Sequence, residues 1–255
     1  MAKQYGMVID LQKCVGCGAC ALACKTENNT QARANGQTYN WADFIYREEG
    51  KFPNPTFTAI PVLCNHCSDA PCVKACPVQP KAMFKTAEGI TMHNDERCIG
   101  CRRCQKACPY SATDVAKEKA AYSVISANIG AAPHAASRDA SEMIKGCTAS
   151  GAETAKMAGG VIPNQHKYSH PDYENIRKQG VVEKCIFCAH RVAKGEQPNC
   201  VAACPAKARI FGDINDAAGE TAKLLAKHKP MRLQEDKKTR PNVAYIRAFK
   251  GGSKV

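Results

Sequence analysis

Sixteen of the seventeen cysteines in this chain fall into four runs. The first is Cys14, Cys17, Cys20 and Cys24; the second is Cys64, Cys67, Cys72 and Cys76. The third is Cys98, Cys101, Cys104 and Cys108, and the fourth, more stretched, is Cys185, Cys188, Cys200 and Cys204. Proline follows the last cysteine of runs two, three and four, at Pro77, Pro109 and Pro205, whereas Lys25 takes that place in run one. Thiols at these spacings read as metal ligands. The count is odd and the cysteines stand too close together for a conventional disulfide network. Runs one and three have the C-x2-C-x2-C-x3-C spacing of bacterial ferredoxins, which wraps three corners of a cuboidal [4Fe–4S] cluster. The fourth cysteine, at the head of a short helix, points away from that loop and in two-cluster ferredoxins ligates the neighbouring cluster. Zinc sites also use C-x2-C pairs, but they draw two cysteines from each of two knuckles and leave the third close thiol surplus. Cys147 stands outside the runs as a spare thiol.

No other constellation in the sequence could carry catalysis. There is no P-loop, dinucleotide fingerprint or nucleophile elbow. The Gly-x-Gly of GCGAC, residues 16–20, lies inside a cysteine loop, where glycine serves close backbone approach to sulfur. His66 sits within CNHC, but a Rieske-type role requires histidine in place of cysteine ligands; it reads as a spacing residue. His166 and His170 read as surface.

Several elements must position these loops. GMVIDLQKC, residues 6–14, predicts a short strand entering run one, and ARIFGDI, residues 208–214, a matching strand after run four. Residues 82–98 predict a hairpin turning near Glu88-Gly89, and each x3 segment one helical turn. The expected fold class is α+β: two bacterial-ferredoxin-like units related by internal repeat, each holding two [4Fe–4S] clusters, with a long insertion and a C-terminal arm. Residues 25–63, with Trp41 and the proline-rich FPNPTF, lie outside the ferredoxin pattern, as do residues 111–184. Within the latter VAKEKAAYSVISA reads as helical, while GCTASGAETAKMAGG is too glycine-rich to assign. A segment of this length is a linker or a docking excursion, and docking is the preferred reading. The closing NVAYIRAF is strand-like, serving either as an edge strand on its own chain or as an arm on another subunit.

The net charge of +13 suggests an acidic partner or nucleic acid until metal is counted. Sixteen thiolates holding four 2+ cores would add about −8 and leave about +5. Aromatics make up 6% of the chain, too few to interleave with basic residues as single-strand binding requires, and no recognition element is visible. No apolar run is long enough to span a bilayer. The beginning, MAKQYGMVIDLQKC, has neither an apolar h-region nor a twin-arginine pair, so no export signal of its own is expected.

The order of the runs, the stretched fourth run, CNHCSDAPCVKACP at 64–77 and the closing RPNVAYIR resemble the iron–sulfur subunit of molybdopterin enzymes of the dimethyl sulfoxide reductase family. GMVIDLQKCVGCGACALACKTENNT and VEKCIFCAHRVAKGEQPNCVAACP, with the long insertion, are most similar to the small subunit of respiratory arsenate reductase. The resemblance implies a pairing of runs. Cys14, Cys17 and Cys20 would bind one cluster with Cys204, and Cys185, Cys188 and Cys200 a second with Cys24. Cys64, Cys67 and Cys72 would bind a third with Cys108, and Cys98, Cys101 and Cys104 a fourth with Cys76. The implied organisation joins residues 1–30 with 181–215 and makes 60–112 the other unit. It leaves 31–59 as a connection, 113–180 as the docking insertion and 216–255 as the arm.

It further implies a large molybdopterin catalytic partner, which would hold the molybdenum cofactor. A membrane quinone-reactive subunit or a cytochrome would be the further carrier. The compartment would be the periplasm, through co-export with a twin-arginine-signalled partner, or otherwise the cytoplasm. The function implied is one-electron relay with no catalytic centre on this chain. The alternatives are a free-standing polyferredoxin and the corresponding subunit of a formate dehydrogenase or hydrogenase. Lys74, Arg102, Arg103, Lys106, Arg191 and Lys207, in or beside the runs, are candidates for raising cluster potentials; solvated surface charge is the competing explanation.

Overall fold

The computed structural model describes residues 2–28, 30, 33–129 and 180–249, with single positions at 153, 157 and 159. Run one is entered from β1 (Tyr5–Asp10) and left through α1 (Ala19–Asn28). A hairpin follows, β2 (Ala42–Glu49) and β3 (Thr56–Leu63), whose second strand ends on the residue before Cys64. Run two leaves through α2 (Pro71–Lys74), and the hairpin of β4 (Met83–Lys85) and β5 (Thr91–His93) leads to run three and α3 (Arg103–Ala107). β6 (Ser126–Ala127) pairs antiparallel with β7 (Val182–Glu183), which delivers the chain to Cys185. Run four contains α4 (Ala189–Val192) and α5 (Asn199–Ala202), followed by β8 (Arg209–Asp213), α6 (Glu220–Lys227) and β9 (Val243–Ile246).

The helices that close the runs differ in length for a simple reason. α2, α3 and α5 are single turns that stop before Pro77, Pro109 and Pro205, and proline cannot donate the backbone bond that would continue them. Lys25 has no such restriction, so α1 runs on to Asn28, and the Lys25 ammonium reaches Asn40 Oδ1 at 2.8 Å.

β1 is the middle strand of a three-stranded sheet ordered β8-β1-β9. β8 lies antiparallel to it, with Met7 opposite Phe211, and β9 lies parallel, with Val8 opposite Ala244. Met7, Val8, Ile9, Val243, Tyr245 and Ile246 are all at or below 1% exposure, so β1 and β9 are core on both faces, while β8 is partly open. The closing NVAYIR stretch therefore lies on its own chain. Asp10 and Arg247 clamp its end, the guanidinium Nε donating to Asp10 Oδ1 at 2.8 Å and Nη2 to Oδ2.

One expectation needs correction, and one segment left unassigned takes a definite form. Residues 115–127 do not form a helix; they make turns and then β6. The Glu118 carboxylate accepts the Thr113 N–H at 2.8 Å, its hydroxyl at 2.6 Å and the Asp114 N–H at 3.2 Å. Such side-chain bonds compete with a helical ladder. The stretch around FPNPTF is the turn and second strand of a regular hairpin whose ladder pairs Ala42 with Leu63 and Glu49 with Thr56. Pro61 is tolerated in it because a two-stranded ribbon has only edges, and its carbonyl accepts the Tyr245 hydroxyl at 2.8 Å. GCTASGAETAKMAGG, Cys147, His166 and His170 lie outside the described residues, apart from the single positions above. Among the described residues no helix is long and apolar enough to cross a membrane.

Candidate metal centres

Each set of thiols is assembled from segments distant in sequence. Cys14, Cys17 and Cys20 line one cavity with Cys204, walled by Ile9, Phe44, Pro61 and Arg209. Cys64, Cys67 and Cys72 line a second with Cys108, and Cys98, Cys101 and Cys104 a third with Cys76. Around Cys24 stand Cys188, Cys185 and Cys200, and Asn28 Nδ2 donates to both Cys24 Sγ at 3.5 Å and Cys188 Sγ at 3.7 Å. None of the sixteen described cysteines is in a disulfide. The sets succeed one another. Cys20 lies near enough to act electrostatically on Cys200, Cys64 on Cys185, and Cys72 on Cys104. Cys17 and Cys101, at the two ends of this succession, are exposed, while every thiol in the two middle sets is buried.

The electrostatics of the sets call for a cation. Burial, then mutual repulsion among the sulfurs, pushes Cys72 and Cys104 up to about 12 and Cys188 likewise, and Cys24 and Cys185 well above the ordinary thiol range. Burial raises Cys67 to about 11, although the hydrogen bond from Thr239 opposes it. Only a bound metal would hold so many buried sulfurs as thiolates. Among the described residues no group of three or more His, Cys, Asp or Glu closes tightly enough for a single ion. Tetrahedral zinc would draw its sulfurs within about 4 Å of one another. Cavities with thiols spread around them suit a polynuclear cluster instead. Buried donors support this fit: Asn65 Nδ2 at the Cys64 cavity has no protein acceptor, while Arg209 at the first cavity and His93 at the Cys98 cavity turn toward thiols, Cys200 and Cys98. A cluster's sulfurs would accept from all three.

Backbone geometry gives the four loops a common shape. The residue before the second cysteine has positive φ in every run: Gly16 at 68°, His66 at 43°, Gly100 at 68° and Phe187 at 51°. A side chain there costs about 1–2 kcal/mol. His66 and Phe187, the two that carry one, stack on each other with centroids 3.6 Å apart and planes 17° from parallel. Such a pair returns about 0.5–1.5 kcal/mol beyond the area it buries. His66 Nδ1 also accepts the Thr91 N–H at 3.1 Å. Burial, then the charges of Lys184 and Lys85, holds His66 well below the ordinary imidazole range.

Residues 56–129 and 164–214 match the 4Fe–4S dicluster domain family, and residues 5–26 match a 4Fe–4S binding domain. Over 247 residues, 96% of this chain and 97% of its relative, the sequence is 46% identical to the arsenate respiratory reductase iron–sulfur subunit of Shewanella sp. (strain ANA-3). The chain belongs to the iron–sulfur subunits of the molybdopterin reductases. This iron–sulfur subunit is also 34% identical over 250 residues to a selenate reductase subunit of Mesobacillus selenatarsenatis, covering 95% of the chain and 72% of that protein. It is 31% identical over 245 residues to a tetrathionate reductase subunit of Salmonella typhimurium, with the same two coverages. It is an electron-transfer component, without a catalytic centre of its own.

The candidate tuning cations of the iron–sulfur subunit divide sharply. Lys74 pairs with Asp69 and its side chain is 71% exposed; Arg191 pairs with Glu27 at 3.3 Å and Glu196 at 3.0 Å. Arg103, Lys106 and Lys207 are exposed. Arg102 lines the Cys98 cavity, with its guanidinium held by Gln105 Oε1 at 2.8 Å and Thr113 O at 2.6 Å. Among the described residues the fully buried lysine and arginine beside the thiols are Lys184 and Arg209, both within stretches otherwise read for their cysteine or strand character. His93 was missed as well. It is buried against Asp95, Nδ1 to Oδ1 2.8 Å, and although burial lowers it, Asp95 and Cys98 raise it to about 9. A cleft of about 430 Å³ beside Tyr110 and residues 232–234 carries no cysteine.

Proposed function

We propose that this subunit relays single electrons through four [4Fe–4S] clusters between a molybdopterin catalytic subunit and a quinone or cytochrome carrier. The proposed ligand sets are Cys14, Cys17, Cys20 and Cys204; Cys185, Cys188, Cys200 and Cys24; Cys64, Cys67, Cys72 and Cys108; and Cys98, Cys101, Cys104 and Cys76. The observation that carries the reading is the succession of thiol sets, buried in the middle and exposed at Cys17 and Cys101. The clusters would supply reversible one-electron storage. The chain's part is to hold the thiolates, keep water from the inner sets and leave a cysteine accessible at each end. The names of the relatives, arsenate, selenate and tetrathionate reductase, favour a partner that handles an oxyanion or a related sulfur compound and holds the molybdenum cofactor.

The proposed organisation pairs residues 1–30 with 181–215, sets 60–112 as the second unit and uses 113–180 to dock the partner. The proposed compartment is the periplasm, reached by co-export with a twin-arginine-signalled partner. The test is anaerobic purification of the tagged chain from its native host. About one molybdenum per chain, with iron near or above the roughly sixteen atoms of four clusters, supports the reading. The same iron without molybdenum or a stoichiometric partner would make the chain a free polyferredoxin. In the same complex, Cys204→Ala and Cys108→Ala should each remove the signal of a different cluster.

A further inference from the structure

Among the described residues only two lysine or arginine side chains are buried, Lys184 at 1% exposure and Arg209 at 3%. The ion pairs among those residues all use other cations. Glu183, the buried carboxylate next to Lys184, takes the Trp41 Nε1 hydrogen bond at 3.3 Å. A buried cation outside any ion pair is among the costliest arrangements in a protein, so the surroundings of these two should supply a balancing anion.

What surrounds them is sulfur. Arg209 has Cys20, Cys200 and Cys24 as charged neighbours and acts in turn on Cys14. It thus stands between the set completed by Cys204 and the set completed by Cys24. Its Nη1 meets Met7 Sδ at 3.9 Å, its guanidinium also turns toward the Cys200 thiol, and it forms part of the wall of the Cys14 cavity. Lys184 lines the Cys64 cavity and adjoins Cys185, and its charge acts on both Cys72 and Cys185. Its Nζ is fixed by the carbonyls of Thr91 and Cys185, each at 2.5 Å. No buried lysine or arginine is described beside Cys104 and Cys76.

We propose that Arg209 and Lys184 are counter-ions shared between successive clusters, Arg209 between the first and second and Lys184 between the second and third. This rests on the ligand sets proposed above. A [4Fe–4S] core of charge 2+ with four thiolates carries about −2, and one more electron makes it about −3. A fixed cation at each junction stabilises that added electron on either side. The electron passes from cluster to cluster beside these fixed charges. Among the described residues no buried lysine or arginine serves the third-to-fourth step.

The test uses the intact complex, with Arg209→Gln and Lys184→Gln to remove charge and Arg209→Lys and Lys184→Arg to keep it. Iron content and an anaerobic redox titration followed by electron paramagnetic resonance are read together, with signals assigned through the cysteine variants. Arg209→Gln should weaken reduction of the first and second clusters at least tenfold, which is 59 mV for a one-electron couple. Lys184→Gln should do the same to the second and third, and the fourth should not move in either. Unmoved potentials with iron intact, an equal fall in all four signals, or equal shifts in the charge-keeping variants would overturn the proposal. Where the glutamine variants fail to hold iron, the charge-keeping pair decides. Iron retained there supports a requirement for charge, and iron lost there too makes the role one of packing. Iron well below about sixteen atoms in the unaltered complex would sink the ligand sets instead.

Discussion

Gly100 and Gly18 offer a matched pair of substitutions. Both lie between cysteines of a metal loop and both have positive φ, 68° and 79°. A Cβ built on Gly18 meets nothing within 4 Å, whereas one built on Gly100 comes within 2.0 Å of the Gly180 carbonyl oxygen. Gly18→Ala therefore carries only the left-handed backbone penalty, about 1–2 kcal/mol. Gly100→Ala carries the same penalty and must also move the backbone at Gly180 or the loop itself by about 1.4 Å to restore ordinary contact. That displacement falls on a loop with Cys98 and Cys101 on either side. The expected result is that Gly18→Ala keeps its full iron and unfolds roughly 2–8 °C lower, while Gly100→Ala loses about four iron atoms per chain, the content of one cluster. Iron content and thermal unfolding, both measured anaerobically, give the answer. Equal iron and equal melting in the two variants would show that Gly180 does not press on the loop.

Three further outcomes follow from the same geometry. Phe187→Ala removes a fully buried ring and its stack on His66, for about 3–5 kcal/mol; thermal unfolding should fall by roughly 6–20 °C, and Phe187→Gly, which also relieves the left-handed backbone, should fall less. Arg247→Met leaves the buried Asp10 carboxylate without its guanidinium, for about 1.5–3 kcal/mol, seen as a lower melting temperature with iron unchanged. Cys147→Ser should leave iron content as it is, while Cys108→Ser should lower it by about four atoms, so equal iron in the two would refute the proposed sets.

The sequence was most legible where a residue type has few alternative uses. Sixteen cysteines in four close runs imposed loops, and Pro77, Pro109 and Pro205 imposed the ends of their helices. The strand at GMVID, the hairpin over 82–98 and the strand at ARIFGDI were visible as short β-rich runs between turn residues. The β2–β3 hairpin was hidden by Pro53, Pro55 and Pro61, which argue against strands unless both partners are edges. The placement of NVAYIR was open because its partner, β1, lies more than 230 residues away, and no local pattern records that distance. Lys184 and Arg209 were overlooked for a related reason. A basic residue beside a cysteine run looks the same whether it ends in solvent or between two sets of thiols, and only tertiary burial separates the cases.

The central position of β1 also bears on how the molecule can be made. Its two neighbours in the sheet are residues 209–213 and 243–246, so the first strand synthesised has no partner until nearly the whole chain has left the ribosome. At about 5–20 residues per second, the 236 residues from Leu11 to Ile246 take roughly 12–47 s to appear. On the proposed ligand sets, Cys14, Cys17 and Cys20 wait through most of that interval for Cys204, while the sets drawn from residues 64–108 are complete much earlier. Iron insertion would then proceed from the middle of the polypeptide outwards, with a half-loaded species holding an open sheet. A chain cut short before residue 204 would be marked for disposal by its unpaired first strand and its thiols without metal.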